Sequence, residues 1–158
     1  MSLEHLAEPM NALTNIKRLL KTSGTIRFIE GDHDSAHFYP DSDHAKKVIQ
    51  CQVDVQKMTG GNANIGRELY PLLTRAGFIS IKVTPLPIYT DSDFLKFAQN
   101  FVRSIYVPMI EEIRNLAIET GIIDHETFDR GIADLYKTAY PGGTFCFTFY
   151  SAVAELPP

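Results

Sequence analysis

Apolar positions recur at helical spacing at Leu13, Ile16, Leu19 and Leu20, with Lys17, Arg18 and Lys21 near the end and Gly24 as a stop. The spacing predicts an amphipathic helix from about Met10. Thr25-Ile26-Arg27-Phe28-Ile29 then reads as a β-strand that runs into a polar cluster, Glu30-Gly31-Asp32-His33, expected to be a loop at the strand's carboxyl end. Helix, glycine, strand and polar loop make half of a βαβ unit. In open α/β sheets ligands bind beyond the carboxyl ends of parallel strands, so this cluster is the first place to look for chemistry.

Further along, His37 to Asp43 is turn-rich, with Ser42 or Asp43 placed to cap a helix over His44 to Met58, where Val48, Cys51, Val53 and Val55 are apolar. Gly60-Gly61-Asn62 breaks that helix. A second runs from about Ile65 to Ala76 on Ile65, Leu69, Leu72 and Leu73, with Gly77 as its stop and Pro71 as its weak point. Phe78 to Tyr89 alternates like a strand, and Pro85 and Pro87 confine its far half to an edge. Asp91-Ser92-Asp93 caps a long helical region with a stripe of Phe94, Phe97, Phe101 and Ile105, which Pro108 should kink or divide. At helical spacing that stripe, with Tyr106, reads first as core and second as the lining of a pocket. After Gly121, Asp124 or His125 starts another helix through Phe128, Ile132 and Leu135. Pro141-Gly142-Gly143 turns into Thr144 to Tyr150, an aromatic strand expected inside the sheet. The pattern gives three strands among five or six helices, an α/β chain with a thin sheet.

Composition narrows the class. A chain of 158 residues, 44% hydrophobic and 22% charged, is one domain able to hold a core unaided. Its net charge of −4 and scattered basic residues argue against nucleic acid or an anionic membrane as partner. Cys51 and Cys146 lie far apart in no metal-type spacing and read as reduced, and with no secretory leader or long apolar run the expected compartment is the cytoplasm.

Candidate chemistry centres on the polar cluster. Glu30, Asp32 and His33 are placed to face a substrate, with turn capping as the alternative for Asp32. Arg67, with Asn62 and Asn64 nearby, offers a bidentate fork for a carboxylate, or else ties its helix to a neighbouring loop. His33, His37 and His44 invite a metal test, but Tyr39-Pro40 and Asp41-Ser42 interrupt the helix that would align them, and no metal site is assigned.

The order of elements, with Leu3-Glu4-His5-Leu6 before the first helix, Leu20-Lys21-Thr22-Ser23-Gly24 before the first strand, and the runs Ile29 to His33, Gly66 to Leu73 and Gly143 to Cys146, resembles the C-terminal half of class I, Rossmann-like S-adenosylmethionine-dependent methyltransferases. Thr22 and Ser23 replace the family's usual Pro-Gly. The resemblance covers the whole chain. It implies a partial Rossmann-like sheet of family order 5-7-6, with the last strand antiparallel and central.

It also implies methyl transfer from S-adenosylmethionine to a small-molecule acceptor, with His5 and His33 as catalytic candidates and Glu4 and His5 beside the cofactor. Glu30, Asp32, Tyr39 and Arg67 would then face the acceptor. The family's glycine-rich loop and ribose-binding acidic residue would precede residue 1, so the whole chain, 1–158, is expected to be a methyltransferase half that holds the cofactor poorly by itself. The rival expectation is a non-catalytic interaction module: the strand at Thr25 to Glu30 would have an unpaired outer edge, which recruits pairing and points to a homodimer.

Overall fold

The aromatic run near the end of the chain becomes the middle of the sheet. In the computed structural model, which describes residues 2–158, β3 (Thr144–Glu155) pairs antiparallel with β1 (Thr25–Tyr39) on one side and β2 (Ile79–Thr90) on the other. The order β1-β3-β2, with the last strand central and antiparallel, is the one the resemblance implied. β1 and β2 run in the same direction but never touch, each pairing only with β3 among the described residues. β2 lies at an edge, where Pro85 and Pro87 remove no ladder bond that the sheet needs.

One expectation is corrected here. Glu30 to His33 is not a loop beyond a strand but part of β1 itself, which continues to Tyr39 through an irregularity between Asp32 and His37. β3 supplies the reason: its aromatic half extends past Ile29 and gives the polar residues a partner, Glu30 opposite Tyr150 and Asp32 opposite Thr148. Ser35 holds the irregularity, its hydroxyl accepting from Thr148 N–H and donating to the Asp32 carbonyl.

The helices fall into six continuous helical runs among the described residues. These are α1 (Pro9–Leu19), α2 (Asp43–Met58), a 3₁₀ turn (Ile65–Glu68) leading into α3 (Leu69–Arg75), a composite run from Ser92 to Glu111, α6 (Arg114–Glu119) and α7 (His125–Lys137). Ser42 and Asp124 cap α2 and α7, accepting from Ala45 and Thr127 N–H. Pro71 is harmless because it stands in the first turn of α3, where its missing N–H has no partner to lose.

The composite run is α4 (Leu95–Ala98), a π-helical stretch (Gln99–Tyr106) and α5 (Val107–Glu111). The wider π turn rotates the buried face. Ala98, Phe101, Val102, Tyr106 and Ile110 point inward, whereas Phe94, Phe97 and Ile105 of the expected stripe are exposed.

Two apolar clusters result, and they use opposite faces of β3. Phe145, Phe147 and Phe149 join α2, the π stretch, α5 and α7 in one. Ala152 and Ala154 join Leu3, Leu13, Phe28, Leu69, Leu72 and Leu73 in the other, so α1 and α3 cover the second half of the sheet from the far side. Strand alternation makes this possible, since odd and even residues of β3 face opposite ways.

Candidate functional site

The polar residues of β1 lie where these two clusters meet. Glu30, Asp32 and His33 are all buried, each fixed by a different neighbour. Glu30 accepts from Leu3 N–H at 2.7 Å and Ser2 hydroxyl at 3.0 Å, which pins the start of the chain over the end of the strand. Burial pushes the Glu30 carboxyl above its usual range despite these bonds. Asp32 accepts a fork from Arg67, Nε at 3.0 Å and Nη2 at 2.7 Å. Gly66 permits it: a Cβ there would stand 2.7 Å from the Gly31 carbonyl and 2.8 Å from that of Glu30, so only glycine lets the 3₁₀ turn lie against β1. The structural alternative weighed for Arg67 is therefore realised, while its half-exposed side chain keeps Nη1 without a bond among the described residues.

Glu4 and His33 make the second pair. Pinning Leu3 swings Glu4 inward, where its carboxylate is 3.4 Å from His33 Nε2 and 3.1 Å from His5 Nε2. Burial alone would raise the Glu4 carboxyl, but the His33 bond and the charges of His33 and His5 outweigh it and leave it below its ordinary value. Nε2 of His33 faces Glu4 and leaves the other ring nitrogen, Nδ1, turned to the interior. It is buried with no partner among the described residues, against the rings of Tyr106 and Phe147. His5 differs: its side chain is 67% exposed, and its Nδ1 faces the Gln56 amide at 3.4 Å. Gln56 also donates to the Glu4 carbonyl at 3.1 Å, and Asn62 N–H to the same carbonyl at 2.7 Å.

Glu4, His5, Glu30, Asp32, His33 and Arg67 are thus brought into one connected patch. Tyr39 is not: it is exposed at the far end of β1, opposite Thr144. Among the described residues no three His, Cys, Asp or Glu side chains gather at metal-ligating spacing. Gln56 and Ser2 went unnoticed in the sequence. A polar residue on the buried face of α2 was the available signal for Gln56; Ser2 carries none.

A cleft of about 500 Å³ adjoins the patch, lined by Val53, Lys57, Gly61, Asn62, Asn64, Arg67 and Glu68 among others. The glycines do not form a cofactor cradle. A Cβ on Gly61 would stand 2.5 Å from the Glu4 carbonyl and one on Gly143 2.5 Å from that of Thr138, so the protein's own backbone fills the space that a nucleotide's phosphate or ribose would need. Neither Gly61 nor Gly143 therefore offers S-adenosylmethionine a backbone cradle.

No protein-family model matches the chain, and no curated protein does. Among solved structures it is similar to phosphoethanolamine N-methyltransferase 2 of Haemonchus contortus in complex with phosphomonomethylethanolamine and S-adenosylhomocysteine, at 14% identity and a TM-score of 0.46, covering 99% of this chain and 32% of that one. The same enzyme with S-adenosyl-L-methionine gives 14% identity, a TM-score of 0.44 and 31% of that chain. A Bacillus halodurans C-125 protein described as a methyltransferase gives 13%, 0.47 and 66% of that chain. The chain spans about a third of the length of the Haemonchus enzyme.

Among the described residues no helix is long and apolar enough to cross a membrane.

Proposed function

We propose that this chain supplies the acceptor-binding side of an S-adenosylmethionine-dependent methyltransferase whose cofactor is held mainly by groups outside residues 1–158. The observation that carries the reading is the meeting of the β1-β3-β2 sheet with a Glu4, His5 and His33 constellation at its polar end. When bound, the cofactor would supply an electrophilic methyl group. This chain's residues position the acceptor and take its proton.

His5 is the base that an acceptor meets first. Glu4 holds its Nε2, which favours the tautomer with a lone pair on Nδ1, and the 3.4 Å Gln56 contact there is long enough for an acceptor O–H or N–H to displace. His33 acts from behind: its bond to Glu4 fixes the carboxylate that orients His5.

Photolabelling with 8-azido-S-adenosylmethionine tests the reading. The expected outcome is faint labelling of the peptides holding Glu4, His5 and Glu30 to His33, competed by S-adenosylhomocysteine and not by ATP. Labelling of these peptides that S-adenosylhomocysteine leaves unchanged, or that ATP competes equally, would sink the methyltransferase reading. Calorimetry showing tight, stoichiometric cofactor binding would instead overturn only the view that the cofactor site lies elsewhere.

A second reading, a homodimerising interaction module, draws on a different observation. β1 pairs only with β3 among the described residues, and Ile29 on that strand is exposed. Sedimentation of the chain as a monodisperse monomer at high concentration would remove it.

A further inference from the structure

We propose that the cleft between α2 and the Ile65–Glu68 turn binds a compact oxyanion, a carboxylate or a phosphate, and that this is where the anionic end of the acceptor rests. The acceptor role depends on the reading above; the binding itself does not.

The argument is an accounting of hydrogen-bonding capacity along the cleft walls. The acceptors at the end of α2 are spent: the Val55, Gln56 and Lys57 carbonyls take bonds from Thr59, Gly61 and Gly60 N–H. Asp34 gives Oδ2 to the Asn64 amide, and Glu68 gives Oε2 to the Asn62 amide. Both asparagine side chains are occupied in return, Asn62 Oδ1 by Asn64 N–H and Asn64 Oδ1 by Asp34 N–H.

The donors are not spent. Lys57 has no ion pair and Arg67 no bond to Nη1 among the described residues, and both line the cleft. Asp32 holds the Arg67 plane in place through the other two nitrogens, so its remaining edge is ordered before a ligand arrives. An occupant that brings acceptor atoms completes both cations, whereas one that brings donors meets chiefly the second carboxylate oxygen of Glu68. Position links the cleft to the reacting groups. Asn62 on its wall is bonded through its N–H to the Glu4 carbonyl, one residue before His5.

The test is an NMR titration of the ¹⁵N-labelled 158-residue chain with sodium succinate, inorganic phosphate and choline chloride at matched ionic strength. Saturable shifts confined to residues 57–68 and to Arg67 Nε are expected with one or both anions. Succinate alone would identify a carboxylate subsite and phosphate alone a phosphate subsite. Lys57→Gln, at an exposed position that leaves the fold intact, should weaken binding roughly fivefold or more through loss of one charge-assisted hydrogen bond. Glu68→Gln should tighten it about twofold by removing a like charge. Silence with both anions, a response to choline alone, unchanged affinity in Lys57→Gln, or weaker binding in Glu68→Gln would each overturn the proposal. No cofactor enters the experiment, so its failure is distinct from a failure of cofactor labelling.

Discussion

The two apolar clusters share the three strands of the sheet and none of its helices. On one face of β3, α1 and α3 pack aliphatic side chains, Leu13, Leu69, Leu72 and Leu73, against two alanines of the strand. On the other, α2, the π stretch, α5 and α7 surround an aromatic group of Phe101, Tyr106, Phe145 and Phe147, with Tyr106 and Phe145 ring centroids 4.8 Å apart. The aliphatic layer fixes the position of Asp32, Glu30 and Arg67, and the aromatic layer walls in His33. The polar patch therefore depends on both packings at once, although neither was selected by the other's periodicity.

The strongest way to break this comparison is to open a cavity in each layer. Phe145→Ala should cost about 3–5 kcal/mol and Leu69→Ala about 2–5 kcal/mol in denaturant unfolding, since both side chains are fully buried. The two residues face opposite sides of the sheet with no shared cluster, so the double variant should be additive within about 0.5 kcal/mol. A larger coupling energy would mean the clusters form one cooperative core.

The aliphatic layer was legible in the sequence and the aromatic one only in part. Leu69, Leu72 and Leu73 keep α-helical spacing, and Gly77, at a φ of +85°, ends their helix where a glycine stop was expected. Thr144 to Tyr150 announced a central strand because apolar residues occupied both faces. The Phe94, Phe97, Phe101, Ile105 stripe misled because it assumes 3.6 residues per turn, and nothing in the local sequence signals a π stretch. The polar end of β1 misled for a related reason. Whether Glu30 to Asp32 pairs depends on how far β3 reaches, a long-range property that local composition does not carry. Glu4, His5 and Arg67 could be named from the sequence, but the connection through Gln56 and Leu3 N–H needed coordinates.

Next in size comes the tie that locks the 3₁₀ turn to β1. Arg67→Ala leaves Asp32 buried without its fork, and should cost about 2 kcal/mol after allowing for the half-exposed guanidinium. Arg67→Lys should recover only part of this, because one ammonium cannot replace two parallel bonds. Full recovery in thermal melts would show that charge, not fork geometry, holds the turn.

The aromatic layer carries a fault that the aliphatic one lacks. Tyr106 is buried with its hydroxyl unpartnered among the described residues, and burial pushes its phenol well up. Tyr106→Phe removes an unsatisfied group without changing shape and should stabilise the protein by about 1 kcal/mol in urea unfolding. Destabilisation instead would mean that the hydroxyl has a partner.

The smallest effect separates the two buried glutamates by pH. Glu4 is held below the reference of 4.5, so its pairing with His33 and His5 stabilises the fold above that value and is lost as pH falls through the folded pKa. Glu30 is displaced the other way: the fold favours its protonated form, so its contribution is present below 4.5 and is lost as pH rises through the folded pKa. Replacing each by glutamine should therefore give stability differences of opposite slope in different windows, below about pH 4.5 for Glu4 and above it for Glu30. Relative to the unsubstituted chain, Glu4→Gln should lose ground as pH rises, by about 1 kcal/mol at neutrality, and Glu30→Gln should gain it. Parallel slopes would mean that the two carboxyls titrate as one coupled group across the Leu3 segment, and Glu4 would then owe its state to Glu30 as much as to the histidines.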